Sequence, residues 1–143
     1  MADHTPKDPG KTLLLAWLIP GAGHWYAAHR GRAVIYAVTV IGTFLAGLWM
    51  GGLATVSMTG HKWAFLLQLF DGPLALAAGV ASHAADAASQ TALAAGHSTA
   101  SAPSPTRLGD LGLTFTLVSA AFNVLVMADA YWRADRTDEE AAA

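Results

Sequence analysis

The chain has 143 residues, of which 54% are hydrophobic and 13% charged, with a formal net charge of −2 and no cysteine. Soluble domains carry roughly 25% charged residues, so the deficit argues against a domain solvated by water on every side. The balanced charge and the absence of a basic run remove nucleic acid as a partner, the missing cysteine excludes disulfides and thiolate metal centres, and the length fits one domain.

The placement of the charges says more than their number. No Asp, Glu, Lys or Arg occurs between Ala33 and Gly60, or between Leu111 and Ala128. About 20 apolar residues span the ~30 Å hydrocarbon core of a bilayer, and a soluble helix seldom avoids charge on every face for that length. The sequence predicts an all-α, polytopic helical membrane protein with about four membrane segments and a multi-pass location in the cell membrane.

In chain order, residues 1–11 form a polar tail. The first segment, 12–29, has Thr12 as its candidate cap and stalls at Pro20, where a hydrogen bond is lost. It spans only if it is kinked, rather than ended, at Pro20. Lys7, Lys11 and the apolar run 13–19 also fit a cleaved leader, but Trp25 and Tyr26 occupy the place of a small-residue cleavage site. The second segment, 33–52, forms a helical hairpin with the first through "HWYAAHRGR". It carries two small-xxx-small pairs, Gly47 with Gly51 and Gly42 with Ala46, the spacing that lets helices approach closely in lipid.

The third segment, 63–82, carries Gln68 and Asp71 near its middle, followed by Gly72 and Pro73. A charged Asp at the centre of a span costs ~2.5–3.5 kcal/mol. A break at "DGP" is therefore predicted, with Asp71 capping the amides of the second half. The alternative places 63–70 in the interface and begins a longer helix near Pro73. Residues 83–107 read as an Ala/Ser/Pro-rich linker, with alanine extending the preceding helix to about Ala95. The fourth segment, 111–132, places Gly112, Thr116, Ser119 and Asn123 on one face. Leu113, Leu117, Leu125 and Val126 lie largely elsewhere, so the small and polar stripe is expected to face protein. Residues 133–143 form a charged tail.

The aromatic residues mark the same boundaries. Trp25 and Tyr26 end the first segment, Trp49 ends the second, Trp63 opens the third, and Tyr131 and Trp132 close the fourth. With Arg30 and Arg32 they are the expected interfacial anchors, since Trp and Tyr combine an apolar ring with a polar tip. Only Trp17 and Tyr36 sit further inside. Four spans place Lys7, Lys11, Lys62, Arg133 and Arg136 on one side and Arg30, Arg32 and Arg107 on the other, which favours cytoplasmic termini. The count changes if the first segment re-enters on its own side.

"PGAGHWYAAHRGRAVIY" resembles the helix–turn–helix signature of the two-transmembrane-helix domain superfamily. The wider pattern, in "AWLIPGAGHWY", "GTFLAGLWMGG", Gln68 with Gly72 and Pro73, and "NVLVMADAY", resembles a family of small bacterial membrane proteins of unknown function. The resemblance covers most of the chain outside the tails and linker. It implies an integral membrane location and an all-helical fold, and lends no activity.

No catalytic constellation emerges. His24 and His29 are five apart, not the four-residue spacing of a helical metal pair. His83 and Asp86 share a face but make no site alone. "GAG" lacks the Gly-Lys-Ser/Thr of a phosphate loop. No metal or cofactor is expected. The one chemical candidate is an intramembrane polar cluster of His24, Gln68, Asp71, Asn123 and Asp129, because ionisable groups within a bilayer are functional candidates by default. The residues favour a non-enzymatic structural or accessory component. Its partners would be the bilayer, other membrane proteins, or further copies held through Gly42, Gly47 and Gly51. The alternative is a small transporter or channel using the polar cluster, ranked ahead of an intramembrane enzyme.

Overall fold

The computed structural model describes residues 7–97 and 107–142; residues 1–6 of the tail, 98–106 of the linker and the last residue lie outside them. All the regular structure among the described residues is helical. The helices are α1 (Pro9–Leu18), α2 (Ala22–Tyr26), α3 (Arg30–Gly51), α4 (Lys62–Gln68), α5 (Pro73–Ala94) and α6 (Arg107–Ala142), with 3₁₀ turns at Leu53–Val56 and Leu69–Asp71. Two stretches are long and apolar enough to cross a membrane: the 22 residues of α3 and the 28 residues Arg107–Ala134 of α6.

These two helices run antiparallel and in close contact. A methyl group on Gly47 would meet the Gly112 carbonyl oxygen at 2.7 Å, and one on Gly112 would meet that of Gly47 at 2.6 Å. Only a residue without Cβ permits this approach. Gly47, Gly51 and Gly112 are thus used inside the chain. Gly42 faces open space, with nothing within 4 Å of a Cβ there, so it takes no part in this packing and Ala46 is only half-buried.

The first predicted segment is not one continuous helix. Asp8, not Thr12, caps α1, accepting from the backbone amides of Gly10 at 2.9 Å and Lys11 at 3.3 Å. Thr12 lies inside the helix and returns its hydroxyl to the Asp8 carbonyl at 3.0 Å. The ten-residue α1 ends at Leu18, and the chain reverses at Pro20 and Gly21. Gly21 has φ of +88° and lies against the Ala33 carbonyl, a position that any side chain would block. The returning α2 packs on α1, with Gly23 against Thr12 and Ala16. The hairpin therefore enters and leaves at the Arg30 end of α3. The expected hairpin of segments 12–29 and 33–52 through "HWYAAHRGR" is not what forms: the chain reverses between α1 and α2, inside the first segment.

The third predicted segment also folds back. α4 and the second 3₁₀ turn run inward, Gly72 turns the chain at φ of +67°, and α5 returns from Pro73. Gly79 of α5 packs on Phe65 of α4 and on Met58, so this hairpin opens at the opposite, Gly51 end. The break at "DGP" is where the sequence places it. The cap is not: Gly72 is the N-cap of α5 and no side chain caps it. α6 begins at Arg107 and stays helical to Ala142, through the segment expected to be a tail.

The interior is small and polar. Ala16, Ala33, Ala75, Ala120 and Ala130 are buried, as are Thr12, His24, Gln68, Asp71, Thr116, Ser119 and Asn123. Phe44 and Val56, with Ala75 and Ala78, form the one apolar cluster of buried residues described. Large apolar side chains point outward: Ile35, Val38, Leu45, Val80 and Leu125 are more than half exposed, and Trp49 is 91% exposed.

Candidate functional site

The five residues of the predicted polar cluster separate into two groups at different depths. The first lies at the Arg30 end. His24, on the short α2, is fully buried, and its Nε2 donates to Asp129 Oδ2 of α6 at 2.9 Å; a carboxylate can only accept, which fixes the ring proton on Nε2. Asp129 also accepts from the Tyr36 hydroxyl at 3.3 Å and from Arg133 Nε at 3.0 and 3.1 Å. Arg32 Nη1 stands 3.9 Å away. The His24 and Tyr36 rings meet edge to face with centroids 4.7 Å apart. One carboxylate thus ties α2, α3 and α6 together. His24 Nδ1 is buried with no partner.

The second group lies halfway along the bundle, where the two hairpin tips meet. Trp17 Nε1 donates to the Leu69 carbonyl at 3.0 Å, and Gly72 lies against the Trp17 carbonyl. Asn123 Nδ2 donates to the Phe70 carbonyl at 2.6 Å. These two side chains from α1 and α6 therefore bond carbonyls at the end of the broken helix, where acceptor capacity is left over. Gln68 Nε2 donates to the Thr55 carbonyl at 3.0 Å and to Thr116 Oγ1 at 2.7 Å.

Asp71 Oδ1 lies 3.1 Å from Ser119 Oγ, and the same hydroxyl lies 2.9 Å from the Val40 carbonyl. Val40 is ten residues from the start of α3 and Ser119 twelve from the start of α6. At 1.5 Å per residue, Asp71 is about 15 Å from the Arg30 end of α3. It is fully buried, forms no ion pair among the described residues, and its Oδ2 has no hydrogen-bond partner. Gln68 Oε1 and Asn123 Oδ1 are buried without donors as well.

The predicted stripe Gly112, Thr116, Ser119 and Asn123 is buried throughout, while Val126, expected elsewhere, is buried too. The predicted anchors Trp25, Tyr26, Arg30, Arg32, Trp49, Trp63, Tyr131 and Trp132 are all exposed, and Arg30 stacks over the Trp25 ring at 5.7 Å. The sequence does not single out Tyr36, Arg133 or Trp17 as site residues. A signal existed for two of them: Trp17 and Tyr36 are the aromatics set away from the segment ends, and both use their polar tip inside the bundle. His29 turns its Nδ1 to the Ala27 carbonyl at 2.7 Å. No three His, Asp or Glu side chains gather as metal ligands among the described residues.

Two apolar grooves lie on the outside. One of about 490 Å³ lies between the α1–α2 hairpin and α3, lined by Ile19, Pro20, Trp25 and Val34. Another of about 460 Å³ runs between α3 and α6 over Ile35, Phe122 and Leu125 and ends at Tyr36 and Asp129.

The model of a family of unknown function, DUF6677, matches residues 11–141. Comparison with curated proteins and with solved structures yields no match.

Proposed function

The chain belongs to the DUF6677 family of unknown function, and from that premise and the geometry we propose that it is a non-enzymatic component of the cell membrane with four membrane segments of two kinds. α3 and α6 cross the bilayer. The α1–α2 and α4–α5 hairpins re-enter from opposite faces and stop at mid-depth. The observation that carries this reading is the inverted distribution of side chains, with Gln68, Asp71, Asn123 and His24 inside and Leu, Val, Ile and Trp outside. Water would penalise those outer faces; lipid accepts them, and helix association in lipid uses small and polar contacts.

Re-entry also sharpens the orientation. Lys7, Lys11, Arg30, Arg32, Arg133 and Arg136 gather at one end and only Lys62 and Arg107 at the other. The cationic end is therefore the cytoplasmic one. A transporter or channel is the second reading, favoured by Asp71, whose carboxyl group does not cap α5 and has no charged partner.

Membrane fractionation and cysteine accessibility test the proposal in a chain that has no cysteine of its own. The protein is expected to stay with membranes after an alkaline wash. Cysteines replacing Lys7 and Gly31 are expected to label from the cytoplasmic side, and one replacing Thr59 from the other. Recovery in the supernatant without detergent overturns the membrane reading; labelling of positions 7 and 31 from opposite sides overturns the re-entrant hairpin.

A further inference from the structure

We propose that Asp71 is a reversible proton-binding site in the middle of the bundle, the proton being held between its carboxyl group and the Ser119 hydroxyl. The argument is a count of donors. Ser119 Oγ has one proton and faces two acceptors, the Val40 carbonyl at 2.9 Å and Asp71 Oδ1 at 3.1 Å. Both contacts are full two-centre hydrogen bonds, rather than one proton shared between two acceptors, when Asp71 carries the second proton on Oδ1 and donates it to Ser119, which in turn donates to Val40. The remaining oxygen, Oδ2, has no donor, as suits the carbonyl of an un-ionised acid better than half of a carboxylate.

The surroundings supply no countercharge. The elements packed on the Leu69–Asp71 turn are α1, α4, α5 and α6. Their charged or titratable groups are Lys11 on α1, Lys62 on α4, His83 and Asp86 on α5, and Arg107, Asp110, Asp129, Tyr131, Arg133 and Arg136 among the described side chains of α6; none pairs with Asp71. α3, through Val40, presents only a backbone carbonyl. The His24–Asp129 pair lies ten residues further along α6 than Ser119, about 15 Å away along the axis. An uncompensated charge so enclosed is costly, and the group neutralises instead.

A metal cation fits less well. Hard cations gather about six oxygens at once. Of the orphaned oxygens, Gln68 belongs to a side chain tied to Thr116, whereas Asn123 stands seven residues along α6, about 10 Å further. With Asp71 Oδ2 the orphaned oxygens number three among the described residues, about half of such a set. A proton needs a single pair of oxygens, and Asp71 with Ser119 provides it. Uptake consumes one proton from the aqueous phase and makes or breaks no other bond.

Infrared spectroscopy of the purified full chain in detergent, across a pH series and with H₂O replaced by D₂O, reads the site directly. Wild type is expected to give a protonated-carboxyl C=O band near neutral pH that shifts in D₂O and vanishes reversibly on alkalinisation. Asp71→Asn is expected to lack it. Ser119→Ala is expected to retain it with a changed frequency and midpoint, which assigns the band even if Asp71→Asn yields no folded protein. Replacing choline chloride by sodium chloride is expected to leave the titration in place. Absence of such a band at every pH overturns the proposal, as does a band unmoved by either substitution, or a midpoint set by sodium. The proposal rests on the membrane reading only for the depth of the site: a protein that fractionates as soluble would still report the state of this carboxyl group, so the two failures are distinguishable.

Discussion

The indole nitrogen of Trp17 donates to the carbonyl oxygen of Leu69 at 3.0 Å, joining the end of a helix that enters from one face of the bundle to the end of one that enters from the other. Leu69 O also accepts the Gly72 amide at 3.0 Å, so the indole serves the second lone pair. Trp17→Phe keeps most of the ring and removes the donor. It is expected to lower stability by about 0.6–1.7 kcal/mol, the range of hydrogen bonds inside helical membrane bundles, in a denaturation series in mixed micelles. An unchanged midpoint would mean that the tips are held by packing alone.

Gly47 and Gly42 make a matched pair for testing the α3–α6 contact. Gly47→Ala places a methyl group 2.7 Å from the Gly112 carbonyl and is expected to cost about 1–3 kcal/mol through overpacking. Gly42→Ala meets open space and is expected to be neutral or slightly stabilising, since alanine favours the helix by about 1 kcal/mol. Thermal unfolding of the two variants in the same detergent compares them. Equal effects would place the helix contact elsewhere.

Asp129 joins three elements, and its loss strands a buried imidazole. Asp129→Ala leaves His24 without its acceptor and is expected to cost about 1–3 kcal/mol. His24→Ala with Asp129→Ala is expected to be less damaging than the sum, with a coupling of about 0.5–3 kcal/mol in a double-mutant cycle. Strict additivity would show that the 2.9 Å contact does not form in the folded protein.

Ala28 is the non-glycine residue with positive φ among those described, at +65°. The left-handed region costs an alanine about 1–2 kcal/mol, part of which glycine returns as chain entropy. Ala28→Gly is expected to raise stability by up to about 1 kcal/mol, read as a higher melting temperature. A lower one would mean that the turn before α3 relaxes in solution.

Much of this organisation was legible in the residues because the exposed and the buried positions of these helices carry opposite kinds of side chain, large apolar outside and small or polar inside. The charge-free windows located α3 and the inner part of α6. Small and polar residues at helical spacing identified the buried face of α6, and Gly-Pro located the break in the third segment. What was hidden depends on contacts distant in sequence. Proline at position 20 is compatible with a kink or a reversal; the choice falls to Gly21 packing on the Ala33 carbonyl, which no local pattern encodes. "DGP" reads as a cap because Asp is a good one, but the Ser119 hydroxyl, 48 residues on, takes the carboxyl group instead. His24 and Asp129 are 105 residues apart. The glycines of α3 pointed to further copies of the chain as the partner, whereas Gly47 and Gly51 pack on the chain's own α6 and Gly42 faces open space.

α6 touches α1, α2, α3, α4 and both 3₁₀ turns, yet the ribosome delivers it after all of them. Until it arrives, the side chains of His24, Gln68 and Asp71 lack their main partners, and the growing chain must shelter them by other means. A nascent product halted before residue 107 would thus be an orphan suited to quality-control proteases, and a separately expressed copy of 107–142 could rescue it by complementation.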